Sequence, residues 1–162
     1  MANSAFNNET VQFPIQLGVK TLTSTVNNST VYQVETPATG LGLNVVAPDS
    51  GNDYYDFEAI ISFSNEALIT TKYRFSVTNL AGAILEYTTV LSQVNTTASL
   101  GTELTSSFIG SRLLRAYGKL LVPNTATDGI LRFEWGQNVA VANDSSVRFA
   151  SSIKLTKIAS EV

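Results

Sequence analysis

Between residues 54 and 63 the chain reads YYDFEAIISF, with Tyr55, Phe57, Ala59, Ile61 and Phe63 at every second position and Asp56, Glu58, Ile60 and Ser62 between them. An apolar period of two belongs to a pleated strand with one buried face, because a helix would scatter those five side chains around its axis. The alternation returns in KYRFSV, where Tyr73, Phe75 and Val77 oppose Lys72, Arg74 and Ser76. It returns again in GILRFEWGQ, where Leu131, Phe133 and Trp135 oppose Arg132 and Glu134.

Turn signals such as NLAG and NTATDG separate these runs, and together they predict strands over 17–26, 31–34, 41–46, 54–63, 72–77, 84–90, 112–122, 130–135 and 152–158. The runs at 54–63, 72–77 and AILEYTTVL are expected to be three consecutive antiparallel strands. TELTSSFIGSRLLRAYGKLLV is ambiguous, since Leu104, Phe108, Arg112, Arg115 and Lys119 also fit helical spacing; the preferred reading is a strand from Arg112 to Val122 that Pro123 ends. About eight or nine strands fit an all-β fold, a two-sheet antiparallel β-sandwich of jelly-roll type. Thr, Ser and Asn make up close to a third of the chain, a bias toward strands and turns.

A hydrophobic share of 44% against 14% charged residues places the chain among folding rather than disordered sequences, and 162 residues suit one core. The expected domain is 17–162. Residues 1–16 read as an extended N-terminal arm, polar and Asn-rich, with Phe6, Val11, Phe13 and Ile15 set around Pro14. That segment is too short to bury its own apolar side chains, so these four residues are the expected partner-binding set.

The chain has no histidine and no cysteine, which removes the commonest general base, the usual transition-metal ligands and the thiol nucleophile together. Asp56 and Glu58 share one side of a strand, roughly 7 Å apart by strand rise, a spacing within reach of a glycosidase carboxylate pair. The plainer reading is the solvated side of a half-buried strand. DSGND, Asp49 to Asp53, has the oxygen ligands of a calcium loop without its acidic spacing, and reads as a turn. GLGLNV lacks the third glycine of a dinucleotide loop and reads as a strand with close packing. Trp135, the only tryptophan, is read as core or interface rather than as a sugar platform. No catalytic residue, cofactor or metal is expected, and the chain is read as a non-enzyme.

The amino-terminal residues show neither a basic segment nor an apolar run, so neither a signal peptide nor a membrane anchor is expected. N-x-[ST] triplets at Asn28, Asn95 and Asn143 carry little weight in so Ser/Thr/Asn-rich a chain. A net charge of −3 argues against a nucleic-acid partner. Up to Asn65 the only basic residue is Lys20 against six acids, whereas Arg112, Arg115, Lys119, Arg132, Arg148, Lys154 and Lys157 follow later. Complementary surfaces of this kind suit association between copies, and a homotrimer is expected.

Two segments carry a family likeness. VKTLTSTVNNSTVYQVETPATGLGLNVVAPDSGNDYYDFEAIISF resembles the opening of small phage and prophage virion proteins: a Thr/Ser/Asn-rich strand, a "tGL" strand and a "Y-x-F-x-a" strand in order. YGKLLVPNTATDGILRFEWGQNVAVANDSSVRFASSIKLTKI is similar to their ending, with "G-x-l-x-f-x-w-x-q-n", a Ser/Asn/Asp loop and a closing "S-x-l-x-l-x-k-i" strand. The likeness spans residues 17 to 158 and is one of pattern. It implies a jelly roll that associates as a trimer in a capsid decoration, a head fibre or a tail part, made in the host cytoplasm and located in the virion. The function it implies is a capsid decoration (cement) protein bound to the major capsid protein. A tail-fibre or receptor-binding tip, or a carbohydrate-binding or cytokine-like sandwich module, are the alternatives.

Overall fold

A computed structural model describes residues 15–161. Their elements are β1 (Ile15–Val19), β2 (Ser24–Val26), β3 (Gln33–Val34), β4 (Gly42–Val45), β5 (Asn52–Thr78), β6 (Ile84–Leu91), β7 (Val94–Ser99), β8 (Leu104–Pro123), β9 (Gly129–Gln137), β10 (Ser145–Val147) and β11 (Ser152–Ser160), with one 3-10 turn at Pro37–Thr39. Every strand pairing is antiparallel. The chain is all-β, as its alternation predicts, and forms an antiparallel β-sandwich.

The two layers are not separate sheets. The first layer runs β1–β11–β5–β8–β6–β7. β5 and β8 then bend together into the second layer: their register skips between Asn65 and Ile69 and resumes over 69–73, while residues 71–78 of β5 pair along its other side with β9, whose other edge takes β3 and β4. One 27-residue strand thus serves both layers. The expected strands 54–63 and 72–77 are its two halves, and the expected succession of three neighbouring strands is corrected: β6 pairs β8, Ile84 opposite Leu121, rather than β5. The bend survives because Asn65, 1% exposed, places its Nδ2 3.1 Å from Thr71 Oγ1, 3.2 Å from the Phe108 carbonyl and 3.3 Å from the Ile69 carbonyl. A buried amide there satisfies backbone and side-chain oxygens that the broken ladder releases.

β8 begins at Leu104 rather than Arg112, and burial alternates along it, which excludes the helical reading. β7 and β10 were not legible as strands, because VNTTAS buries only Ala98 and β10 is three residues long.

The interior between the layers is aromatic. Phe57 from the first layer meets Phe75 from the second edge-on at 4.8 Å, and Phe75 also packs against Tyr87 at 5.2 Å and Phe133 at 5.1 Å. Such edge and tilted contacts add about 0.5–1.5 kcal/mol each beyond area burial. Phe57, Ile61, Phe63, Phe75, Leu131 and Phe133 are buried as their alternation requires, and Val77 packs against the core half-buried.

Candidate functional site

The residues singled out for chemistry divide into those the fold uses internally and those it leaves at the surface. Trp135 is fully buried, and its Nε1 donates to Glu35 Oε1 at 3.1 Å. Glu35 Oε2 accepts from Lys20 Nζ at 2.7 Å, and both side chains are 2% exposed. Lys20 follows β1 and Glu35 follows β3, so this buried pair ties the edge of the first layer to the edge of the second. The glycines of GLGLNV serve the same seam. Gly40 has φ 93, and a Cβ on it would lie 2.2 Å from the Val19 carbonyl oxygen, so only glycine lets the turn after Pro37–Thr39 reach β1.

Asp56 and Glu58 stand on the outer face of β5 as an ordinary solvated strand face would place them. Asp56 pairs with Lys119 on β8, and Glu58 pairs with Lys154 on β11 at 2.8 Å. Of DSGND, Asp53 pairs with Lys157 at 2.7 Å and accepts from the Ser160 hydroxyl at 2.7 Å. Burial pushes the Asp53 carboxyl up, but bonds from Lys157, Ser160 and Tyr55 and the Lys157 charge outweigh it, and its pKa falls below the usual aspartate value. Tyr55, buried and facing that carboxylate, is pushed up to about 12. Among the described residues no group of three or more acidic side chains is close enough to hold a metal ion.

These pairs dispose of the charge asymmetry. The early acids and late lysines, expected to meet between copies, meet within one chain because β8 and β11 flank β5 on either side. What matters at the surface is the remainder. Of the ten Lys and Arg, six pair with carboxylates and Lys72 sits 4.3 Å over the Tyr32 ring, leaving Arg112, Arg115 and Arg148 with no carboxylate among the described residues.

The outer face of the first layer carries Arg115 of that remainder together with apolar side chains. Register lines up Leu17, Lys154, Glu58 and Tyr117 in one row and Val19, Ser152, Ile60 and Arg115 in the next. Leu17, Val19, Ile60, Leu113 and Tyr117 are all exposed there. Of the expected partner-binding residues, Phe6, Val11 and Phe13 lie outside the described residues. Ile15 opens β1 opposite Thr156 and is 64% exposed on this same face. The face thus sets exposed apolar rows beside neutralised charge pairs. The arginines were missed because their lack of partners depends on strand register, which spacing along the chain does not display.

The outer face of the second layer is finished differently. Arg74 and Arg132 converge on Glu134 at 2.6 and 3.0 Å, and Glu134 is 2% exposed. Burial raises the Glu134 pKa, but the bonds from Arg74 and Ser76 and the charges of Arg74 and Arg132 outweigh it, so it stays below the usual glutamate range. Tyr32 lies across Lys72 and Arg74 and donates its hydroxyl to Glu103.

No helix among the described residues is long and apolar enough to cross a membrane. No family model matches the chain, and no curated protein matches it significantly.

Proposed function

We propose that this chain is a non-enzymatic structural component of a bacteriophage virion, a capsid decoration protein that binds the major capsid shell as a homotrimer. The observation that carries the assembly part of this reading is the outer face of the first layer, where Ile15, Leu17, Val19, Ile60, Leu113 and Tyr117 remain exposed beside the pairs Asp56–Lys119 and Glu58–Lys154. Leaving six such side chains in water forgoes roughly 1.5–3 kcal/mol for each that a partner would bury completely. The placement in a virion rests on the sequence pattern over residues 17 to 158.

Antibody labelling of purified particles tests the reading. Label distributed over the head is expected, at copy numbers that follow the capsid lattice. Label confined to the tail would replace decoration by a tail role, and particles without the protein would overturn the virion assignment.

A further inference from the structure

The turn between β10 and β11 projects Arg148 and Phe149 from the sandwich, with Phe149 66% exposed. It is held firmly. The Arg148 amide donates to the Ser62 carbonyl at 2.8 Å, Ser151 Oγ donates to the Arg148 carbonyl at 2.8 Å, and the Ser62 amide donates to Ser151 Oγ at 3.0 Å. Arg148 Nη1 donates to Ser111 Oγ at 3.2 Å and has no carboxylate within ion-pair distance among the described residues. A guanidinium exposed in this way favours an incoming carboxylate.

At the opposite end of the first layer lies a cleft of about 460 Å³, lined by Val46, Pro48, Asp49 and Glu161, with the Asp53–Lys157 pair at its wall. Glu161 is fixed by Asn52 Nδ2 at 2.6 Å and the Tyr54 hydroxyl at 2.5 Å. Asp49 and Glu161 have no cation within ion-pair distance among the described residues. β5 runs from Asn52 beside the cleft to Ser62 beside the turn, roughly 30 Å at strand rise, so a chain's turn cannot reach its own cleft.

We propose that the Arg148–Phe149 turn of one copy docks into the Asp49/Glu161 cleft of the next, Arg148 facing the two carboxylates and Phe149 resting on Val46 and Pro48. An aromatic and an arginine presented on a rigid turn are the side chains that dominate interface energetics. The contact joins two different patches, so its repetition forms a ring when the rotation between copies closes, and a threefold closure gives the homotrimer of the assembly reading. The inference rests on that reading only for the size of the ring.

The test is the solution mass of the full chain by sedimentation across concentration and salt. Wild type should show an oligomer near three times the 17.4 kDa chain that weakens as salt rises. Arg148→Glu, and separately Asp49→Arg with Glu161→Arg, should each weaken association about a hundredfold, since like charges then face each other. A chain carrying Arg148→Glu together with Asp49→Arg and Glu161→Arg should recover the oligomer. Thermal melts confirm that each variant folds, and Phe149→Ser provides an uncharged second disruption. A monomeric wild type, an oligomer indifferent to Arg148→Glu and Phe149→Ser, or no recovery in the swapped chain would each overturn the docking. The virion reading fails separately, by absence of the protein from particles.

Discussion

The outer faces of the two layers are built from similar side chains and treated in opposite ways. On the second layer Arg74 and Arg132 close over a buried Glu134, and Tyr32 roofs Lys72 and Arg74 before reaching Glu103. On the first layer the pairs Asp56–Lys119 and Glu58–Lys154 stay exposed, and Ile60, Leu113 and Tyr117 stand open beside Arg115, which has no carboxylate partner among the described residues. The cause is local: the chain before β3 folds across the second layer, whereas no described segment crosses the first. One face completes its interactions within the chain, and the other keeps its apolar rows open, where the proposed assembly would cover them.

Substitutions should separate the two faces by size of effect. The largest loss belongs to the seam that joins the layers, where Glu35→Ala strands a buried Lys20 and removes the acceptor of Trp135, and should cost about 3–5 kcal/mol in denaturant unfolding. Next comes the finished face. Glu134→Ala removes the anion shared by Arg74 and Arg132 and should cost about 2–3 kcal/mol.

Two buried carboxylates, one in each layer, also set an acid limb. Glu134 and Asp53 have folded pKa values below their ordinary 4.5 and 3.8, so the stability they confer is complete above those values and is lost as pH falls through the folded ones. Unfolding measured between pH 7 and pH 3 should show this loss, and Glu134→Gln with Asp53→Asn should flatten it.

Tyr32→Phe, which removes only the bond to Glu103, should cost about 0.5–1.5 kcal/mol. Smallest of all, Ile60→Ser or Tyr117→Ser on the open face should shift stability of the isolated chain by no more than about 0.5 kcal/mol while weakening assembly. A large stability loss at Ile60 would mean that this face is already packed within the chain.

Much of the fold was legible in the sequence, because strict alternation reports strand and burial together. Phe57, Phe63, Phe75 and Phe133 occupy the interior that their spacing assigns, and Trp135 joins them as core. The joining of 54–63 to 72–77 was not legible, since it depends on the buried Asn65 amide and on β8 being long enough to pair both halves. The surface was harder still. Charge spacing along the chain suggested complementary faces on separate copies, yet Asp53, Asp56 and Glu58 find Lys157, Lys119 and Lys154 by strand pairing across the sheet. Which charges are left over is a property of register, and Arg112 and Arg148 emerge only when the pairs are removed from the count.

Because the chain contains no cysteine, single thiols can report each face without background. Ile60→Cys and Leu113→Cys mark the open face, and Thr105→Cys marks the second layer on the side that carries Lys72. Maleimide labelling of each variant, free at dilution and then assembled on purified particles, compares the faces directly. The account predicts that residues 60 and 113 become markedly slower to label on assembly while residue 105 keeps its rate. Equal rates at residues 60 and 113 in the dilute and assembled states would contradict it.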